Sequence, residues 1–220
     1  MAIIDYETMK QQLRLQRYKD IAEYDKVVDH GINEMWKELC DKVTTPDIDP
    51  TDIFSEEVEY FKNLSYSMKL MNICCLSETW EQDLYNFLKE KGLITVRSND
   101  YSRTKQIFET AYPTCVISNY PMIAEMRALV NAIKHGEGNS LNNIRRLTED
   151  AILADSNIGV VDERGVFTKK KEIEFDDNTL TSRTLNIDGK LRLYSDALIG
   201  FWGDVFQVDK ERESSRTTGN

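Results

Sequence analysis

The stretch PMIAEMRALVNAIKH, residues Pro121 to His135, has the hydrophobic pattern of an amphipathic helix. At roughly 100° per residue, one face takes all the large apolar side chains, which are Met122, Ile123, Met126, Leu129, Val130 and Ile133. A second row, at every fourth position, consists of Ala124, Ala128 and Ala132. Small side chains in such a row let another helix approach closely. The stretch therefore predicts a helix that packs on two faces, beginning near Pro121 and ending at Gly136.

Two long helical patterns precede this stretch. Residues 6–43 predict one helix, with Gly31 as the position for a kink, and a breaker with two prolines follows at residues 44–52. A second helix is predicted from Asp52 or Ser55 to Lys91, where Gly92 is a suitable C-terminal cap. Ser77 resembles an N-cap, so the sequence leaves open whether this helix is broken there.

Shorter elements complete the chain. Tyr101–Ala111 predicts a helix, and residues 141–153 predict another. Two hairpins are expected late, one at residues 158–175 with a turn at residues 163–165, and one at residues 184–194 around Asp188-Gly189. Ser195 is then expected to cap a last helix that carries Phe201, Trp202 and Phe206.

The predicted fold class is mainly α: an antiparallel helical bundle with one or two late β-hairpins and a C-terminal helix. Residues 1–209 are expected to form a single helical domain with a β appendage at about residues 158–194. Residues 210–220 are polar and lack large apolar side chains, so a disordered tail is expected there. Trp80 and Trp202 lie in amphipathic runs, which predicts that both are core anchors.

Composition excludes several classes of function. The net charge of -10 argues against broad DNA binding, which needs many Lys and Arg contacts to phosphates. No membrane-spanning run and no secretion signal are visible, and the four cysteines lack metal or disulfide spacing, so a cytoplasmic protein with reduced thiols is expected. The two histidines, His30 and His135, lie in no metal motif, and no phosphate-binding glycine loop is present, so neither a metal nor a cofactor is expected.

One polar row on the Pro121–His135 helix suggests chemistry. Arg127, Asn131 and His135 repeat at every fourth position, with Lys134 beside them, so all four lie along one side of the helix. Arg and Lys can neutralise a phosphodiester, and His can move a proton near neutral pH. Arg145 and Arg146 follow closely enough to add phosphate contacts. The structural alternative is that the row bonds a neighbouring helix, with Arg145 and Arg146 on a solvated face.

The segment Met126–Gly138 resembles the signature of a group of bacterial proteins, Arg-x-x-x-Asn-x-x-Lys-His-x-x-Gly, that follows an upstream Trp-Glu-Gln. This chain has that triplet at Trp80-Glu81-Gln82. The group in turn resembles the HEPN (higher eukaryotes and prokaryotes nucleotide-binding) superfamily. That resemblance implies a compact helical bundle, often dimeric, in toxin–antitoxin, phage-defence or CRISPR systems.

The resemblance implies two hypotheses. In the first, the chain is a metal-independent endoribonuclease, with His135 as acid or base, Arg127 as phosphate ligand, Asn131 as polar helper, and Lys134, Arg145 and Arg146 binding RNA. In the second, it is a non-catalytic module, such as an antitoxin, a regulator or a subunit of a defence complex. The second is favoured by the spacing, since seven residues separate Arg127 from His135 and Ala128 follows the arginine. A homodimer or a protein partner is expected in either case, and a small-molecule enzyme has little support.

Overall fold

The computed structural model describes residues 6–41, 55–95, 100–135, 159–161, 167–169, 187 and 189–217. Within these residues the chain is mainly helical, as the sequence predicts. The α-helices are α1 (Tyr6–Cys40), α2 (Ser55–Glu90), α3 (Tyr101–Ala111), α4 (Pro121–His135) and α5 (Lys190–Thr217). A short 3-10 helix, Ile117–Asn119, precedes α4, and two strands, β1 (Gly159–Val161) and β2 (Phe167–Lys169), lie between α4 and α5.

The two long helices are continuous. Helix α1 passes through Gly31, and α2 passes through Ser77, whose side chain is buried, so no break occurs at either position. Helix α2 ends at Glu90, one residue before the predicted end at Lys91, and the predicted cap residue Gly92 follows with a φ of 71°. The Gly92 amide donates to the Lys89 carbonyl at 3.0 Å and the Leu93 amide to the Leu88 carbonyl at 2.9 Å, the pair of bonds that defines a Schellman cap.

Helix α3 has an acidic N-cap. The Asp100 carboxylate accepts hydrogen bonds from the amides of Ser102 at 2.9 Å and Arg103 at 3.4 Å. These amides belong to the first turn, where no carbonyl of the helix itself can reach them. The bounds of α3 and α4 agree with the helices predicted from the sequence.

Contacts between backbone segments divide the chain into two compact units. The first unit contains Met1–Tyr24, Asn72–Arg127 and Leu191–Asn220, and the second contains Asp25–Met71 and Ala128–Lys190. Among the described residues, the largest fully buried side chains all lie in the first unit; they are Trp80, Trp202, Tyr18, Tyr194, Phe108, Phe201, Ile73, Leu76, Leu84, Leu88, Ile123 and Met126.

Aromatic rings fill the core of the first unit. Phe201 packs edge-on against Trp80 with ring centroids 6.1 Å apart, and Trp202 packs edge-on against Phe87 at 5.3 Å. Neither tryptophan has exposed surface, which confirms the prediction that both are core anchors. Edge-to-face pairs of this kind contribute stability beyond the apolar area they bury.

The second unit has a smaller set of buried side chains among the described residues, including Val28, Leu129, Val130 and Ile187. An ion pair joins α1 and α2 within it, since the Lys69 ammonium lies 3.0 Å from the Asp29 carboxylate. Strands β1 and β2 pair antiparallel, with Val160 opposite Thr168. They lie where the first late hairpin is predicted, but its turn at residues 163–165 falls outside the described residues.

The second predicted hairpin, at residues 184–194, is wrong in its second half, because Lys190–Tyr194 form the start of α5. Buried residues recur there at Leu191, Tyr194 and Leu198, a spacing of three and four that suits a helix rather than a strand. Gly189 has a φ of 69° and directly precedes the helix instead of forming a hairpin turn. Ser195 is accordingly not a cap: it is buried inside α5, and its hydroxyl donates to the Tyr18 carbonyl at 2.8 Å.

Residues 210–217 are helical where a disordered tail is expected from the sequence. The reason is a set of contacts between this part of α5 and the end of α3. Tyr112 donates to Asp209 at 3.0 Å, and the Arg212 guanidinium lies 4.6 Å from the centroid of the Tyr112 ring. Arg212 also donates to the Ala111 carbonyl at 2.7 Å, so it provides this carbonyl at the end of α3 with a donor.

Two further predictions, the proline-containing breaker at residues 44–52 and the helix at residues 141–153, lie outside the described residues. In the part of the chain that is described, no helix combines the length and the apolar character that crossing a membrane requires.

Candidate functional site

Helix α4 is buried around most of its circumference. Ile123, Met126, Leu129 and Val130 are buried on the predicted apolar face, and Ala128 and Ala132 are buried on the predicted alanine face. The helix begins directly after Tyr120, whose carbonyl accepts from the Ile123 amide at 3.0 Å. Pro121 fits this first turn because its ring nitrogen needs no acceptor there. Two members of the polar row, Asn131 and Lys134, are exposed on the remaining arc.

Arg127 is half-buried and already has two partners in the first unit. Its Nη1 donates to Oε1 of Glu81 in a close ion pair. Its guanidinium carbon also lies 3.1 Å from the centroid of the Tyr101 ring, a cation–π contact. Burial lowers the pKa of Arg127 to about 10, a value that leaves the side chain protonated at neutral pH. The positive charge of Arg127 is therefore compensated by a carboxylate within the protein.

The Arg127–Glu81 pair joins the two sequence motifs on which the family resemblance is based. Glu81 is the middle residue of Trp80-Glu81-Gln82, and Arg127 begins the second motif 46 residues later. Trp80 contributes to the same cluster, because its ring lies 5.7 Å from that of Tyr101. We call these four residues, Trp80, Glu81, Tyr101 and Arg127, the Arg127 cluster. Within it, the buried Trp80 Nε1–H has no hydrogen-bond acceptor among the described residues.

Of the other predicted site residues, the structure describes the side chains of two. Asn131 and Lys134 are exposed on α4. His135 is the last residue of α4, but its side chain lies outside the described set, and so do Arg145 and Arg146. The structure thus locates Arg127, Asn131 and Lys134 on one helix, and the roles assigned to all six residues stay predictions.

A buried glutamate on α4 was missed by the sequence analysis. Glu125 is 1% exposed and accepts a hydrogen bond from the Tyr194 hydroxyl at 2.8 Å. Burial, followed by the Glu125 charge, raises the pKa of Tyr194 well above its usual value, so Tyr194 remains a donor. The signal in the sequence was the spacing of Glu125, which lies three, four and seven residues before Ala128, Leu129 and Ala132. Residues at these spacings are neighbours on a helix surface, so Glu125 belongs to an apolar surface.

A second buried carboxylate, Asp83, was also missed. Its Oδ2 accepts from the Tyr18 hydroxyl at 2.8 Å, and its Oδ1 lies 3.3 Å from Arg17 and 3.8 Å from Arg14. The Trp202 indole N–H donates to the same Tyr18 hydroxyl at 2.9 Å. This network links three helices of the first unit, and its central groups, Asp83 and Tyr18, are both buried away from any substrate. We interpret it as structural.

The described residues contain no group of three or more His, Cys, Asp or Glu side chains placed to bind a metal ion. The acid–base and charged groups of the Arg127 cluster are one carboxylate, one phenol and one guanidinium. These groups can bind or orient a polar partner. The chain matches no family model, no curated protein and no solved structure in the comparisons made with known proteins.

Proposed function

We propose that this chain is a HEPN-like helical bundle with a late hairpin that acts as a non-catalytic interaction module in a prokaryotic defence or toxin–antitoxin system. The fold assignment comes from the sequence motifs, and a cytoplasmic location is part of the same proposal. The observation that favours a module over a nuclease is the engagement of Arg127 by Glu81 and Tyr101. A phosphate that used this arginine would have to displace a carboxylate that is already in place.

The partner surface in this proposal is the exposed polar arc of α4. Asn131 and Lys134 offer an amide and a cation on a helix whose other faces are buried. Such an arrangement gives a partner a rigid, pre-formed contact, which lowers the entropic cost of binding. A protein partner fits better than RNA, because a net charge of -10 repels a polyanion at long range.

The first experiment measures complex formation by the tagged chain when it is expressed in its own host. Lys134→Glu should reduce the amount of the specific complex at least several-fold, because it reverses the charge that the partner meets. Lys19→Glu is the matched control, since Lys19 is an exposed helical lysine on α1, and it should leave the complex intact. Equal recovery of the complex with both variants would rule out α4 as the partner surface.

The second candidate function is a metal-independent endoribonuclease, which is favoured by the exposure of Asn131 and Lys134 on the helix that ends at His135. It is tested by incubating wild-type and His135→Ala protein with a mixed RNA pool in the presence of EDTA. Under the module proposal neither protein produces ends with 2′,3′-cyclic phosphate. Cleavage by the wild type that disappears in His135→Ala would rule out the non-catalytic module and support the endoribonuclease.

A further inference from the structure

A cavity of about 660 Å³ lies in the first unit, where the start of α1, the residue after α2 and the second half of α5 meet. Tyr18 of α1 is hydrogen-bonded to Ser195 and Trp202 of α5. One turn earlier in α1, the Arg14 guanidinium lies 5.9 Å from the ring centroid of Phe206, which is one turn later in α5. The two helices thus run antiparallel, and the cavity lies where α1 begins. Its volume is within the range of sites that bind small molecules.

Gly203 of α5 lines this cavity and keeps it open. Beyond the backbone of its own helix, a Cβ atom at this position would have no atom of the described residues within 4 Å. Glycine is less favourable inside a helix than every other residue except proline. The lack of a side chain at Gly203 therefore leaves room for a ligand at a cost in helix stability.

The charged groups that line the cavity are two ammonium groups and two carboxylates; they belong to Lys91, Lys210, Glu7 and Asp209. Lys91 and Asp209 form a close ion pair, and Asp209 also accepts from the Tyr112 hydroxyl at 3.0 Å. A phosphate ester would meet two carboxylates here, and a simple cation would meet two ammonium groups. The lining instead complements a ligand that carries one charge of each sign.

The other two charges, on Glu7 and Lys210, are accessible to a ligand. The Lys210 ammonium is exposed and has no ion pair with the described residues. Glu7 has an ion pair with Lys10 at 3.4 Å, but the Glu7 side chain is 67% exposed and Lys10 also contacts Glu90 at 3.2 Å. Exposed pairs of this kind contribute little to stability. A ligand that brings an ammonium to Glu7 and a carboxylate to Lys210 thus gains two contacts without breaking a buried one.

Phe206 is the large apolar side chain in the described lining of the cavity. Its ring is half-buried and stacks on Trp202 with ring centroids 5.6 Å apart, so its orientation is fixed by the core. An apolar group of a ligand that packs against Phe206 is removed from water, which favours binding. Gln11, which is also half-buried, adds a carboxamide that can donate and accept hydrogen bonds.

We propose that this cavity binds a free amino acid that has a large apolar side chain. The ligand carboxylate contacts Lys210, whose charge is on a flexible four-carbon chain that can close on it. The ligand ammonium contacts Glu7, and the ligand side chain packs against Phe206. This inference is independent of the proposed function, which concerns α4.

The test is isothermal titration calorimetry of the purified chain with phenylalanine as the probe. Two matched compounds each lack one charge: N-acetylphenylalanine has no ammonium and phenylalaninamide has no carboxylate. Phenylalanine should bind, and each matched compound should bind about tenfold more weakly, because one charged contact is lost. No binding of phenylalanine, or equal affinity for the three compounds, would overturn the inference.

Two variants of α5 locate the binding site. Gly203→Leu fills the cavity and should abolish the binding of phenylalanine, whereas Gly200→Leu, one turn away and outside the lining, should bind like the wild type. Leucine is a better helix former than glycine, so both variants are expected to fold, and circular dichroism verifies this. Equal affinities of the two variants for phenylalanine would show that the cavity is not the site.

A third variant tests the role of Glu7. Glu7→Gln should weaken the binding of phenylalanine but leave that of N-acetylphenylalanine unchanged, since only phenylalanine has an ammonium to place against the carboxylate. Equal losses of affinity for the two compounds would contradict the contact between Glu7 and the ligand ammonium.

Discussion

Asp83 is a buried carboxylate of the first unit that contacts two arginines. It is 2% exposed and has Arg14, Arg17 and the Tyr18 hydroxyl as partners. A buried carboxylate of this kind is tolerated only because these partners replace its water. Its removal leaves the Arg14 guanidinium, itself largely buried between Trp202 and Phe87, without a counter-charge.

Asp83→Asn should therefore lower the free energy of unfolding by about 3 kcal/mol. This loss is near the lower end of the range expected when one partner of a buried ion pair is removed, because Arg17 is half exposed. Urea unfolding followed by circular dichroism measures this change. Asp196→Asn, at an exposed aspartate of α5, should change the same quantity by less than about 0.5 kcal/mol. Similar losses in the two variants would show that the Asp83 network does not contribute as described.

The Arg127 cluster shows how far the candidate site could be predicted at the residue scale. Both motifs were visible in the sequence, and the helical spacing placed Arg127, Asn131 and Lys134 on one side of α4. That Glu81 would neutralise Arg127 could not be predicted, because the two residues are 46 positions apart and meet only through tertiary packing. Helical periodicity determines which residues share a face, whereas the partner of that face depends on the rest of the fold.

At the scale of elements, local signals predicted most helix ends. Gly92 and Pro121 act through their own backbone geometry, so their effect can be read from a few neighbouring residues. The same kind of local signal failed at Asp188-Gly189, where a dipeptide typical of hairpins precedes a helix. There the burial of Leu191, Tyr194 and Leu198 determined the structure, which illustrates how packing overrides a short turn preference.

Glycine-to-alanine substitutions should have opposite effects at two positions. Gly92→Ala should lower the free energy of unfolding by about 1 kcal/mol, because alanine is strained at a φ of 71°. Gly200→Ala should raise it by about 0.5–1 kcal/mol, because Gly200 is an exposed position inside α5 with no atom within 4 Å of the added methyl group. Thermal unfolding measures both, and a loss of stability at Gly200 would contradict the described helix.

At the scale of the whole molecule, buried phenols make stability depend on alkaline pH. Burial, the largest cause at each position, raises the pKa of five tyrosines above the usual value of 10.0; they are Tyr18, Tyr101, Tyr112, Tyr120 and Tyr194. Nearby carboxylates raise these pKa values further. The folded state therefore holds protons that the unfolded state releases above pH 10, so the stabilising contribution is complete below pH 10 and declines as the pH rises further.

The free energy of unfolding should accordingly decrease as the pH rises above 10. In that range unfolding should deprotonate these tyrosines to tyrosinate, and absorbance measures the amount of tyrosinate that is formed. Tyr194→Phe should make the decrease less steep, since one raised pKa is removed. Tyr60→Phe, at a 61% exposed position, is the matched control for loss of a hydroxyl. A pH dependence that is the same in the wild type and Tyr194→Phe would contradict the raised pKa of Tyr194.

The core of the first unit also has a consequence for synthesis on the ribosome. Tyr18 accepts hydrogen bonds from Ser195 at its carbonyl and from Trp202 at its hydroxyl, so this core depends on contacts between residues more than 170 positions apart. Helix α1 leaves the ribosome long before α5 exists, and its buried face then has no cover from Ser195, Trp202 or Phe206. Folding of this unit must therefore wait until translation has passed α5, and chaperones that bind apolar segments have α1 available as a substrate during that interval.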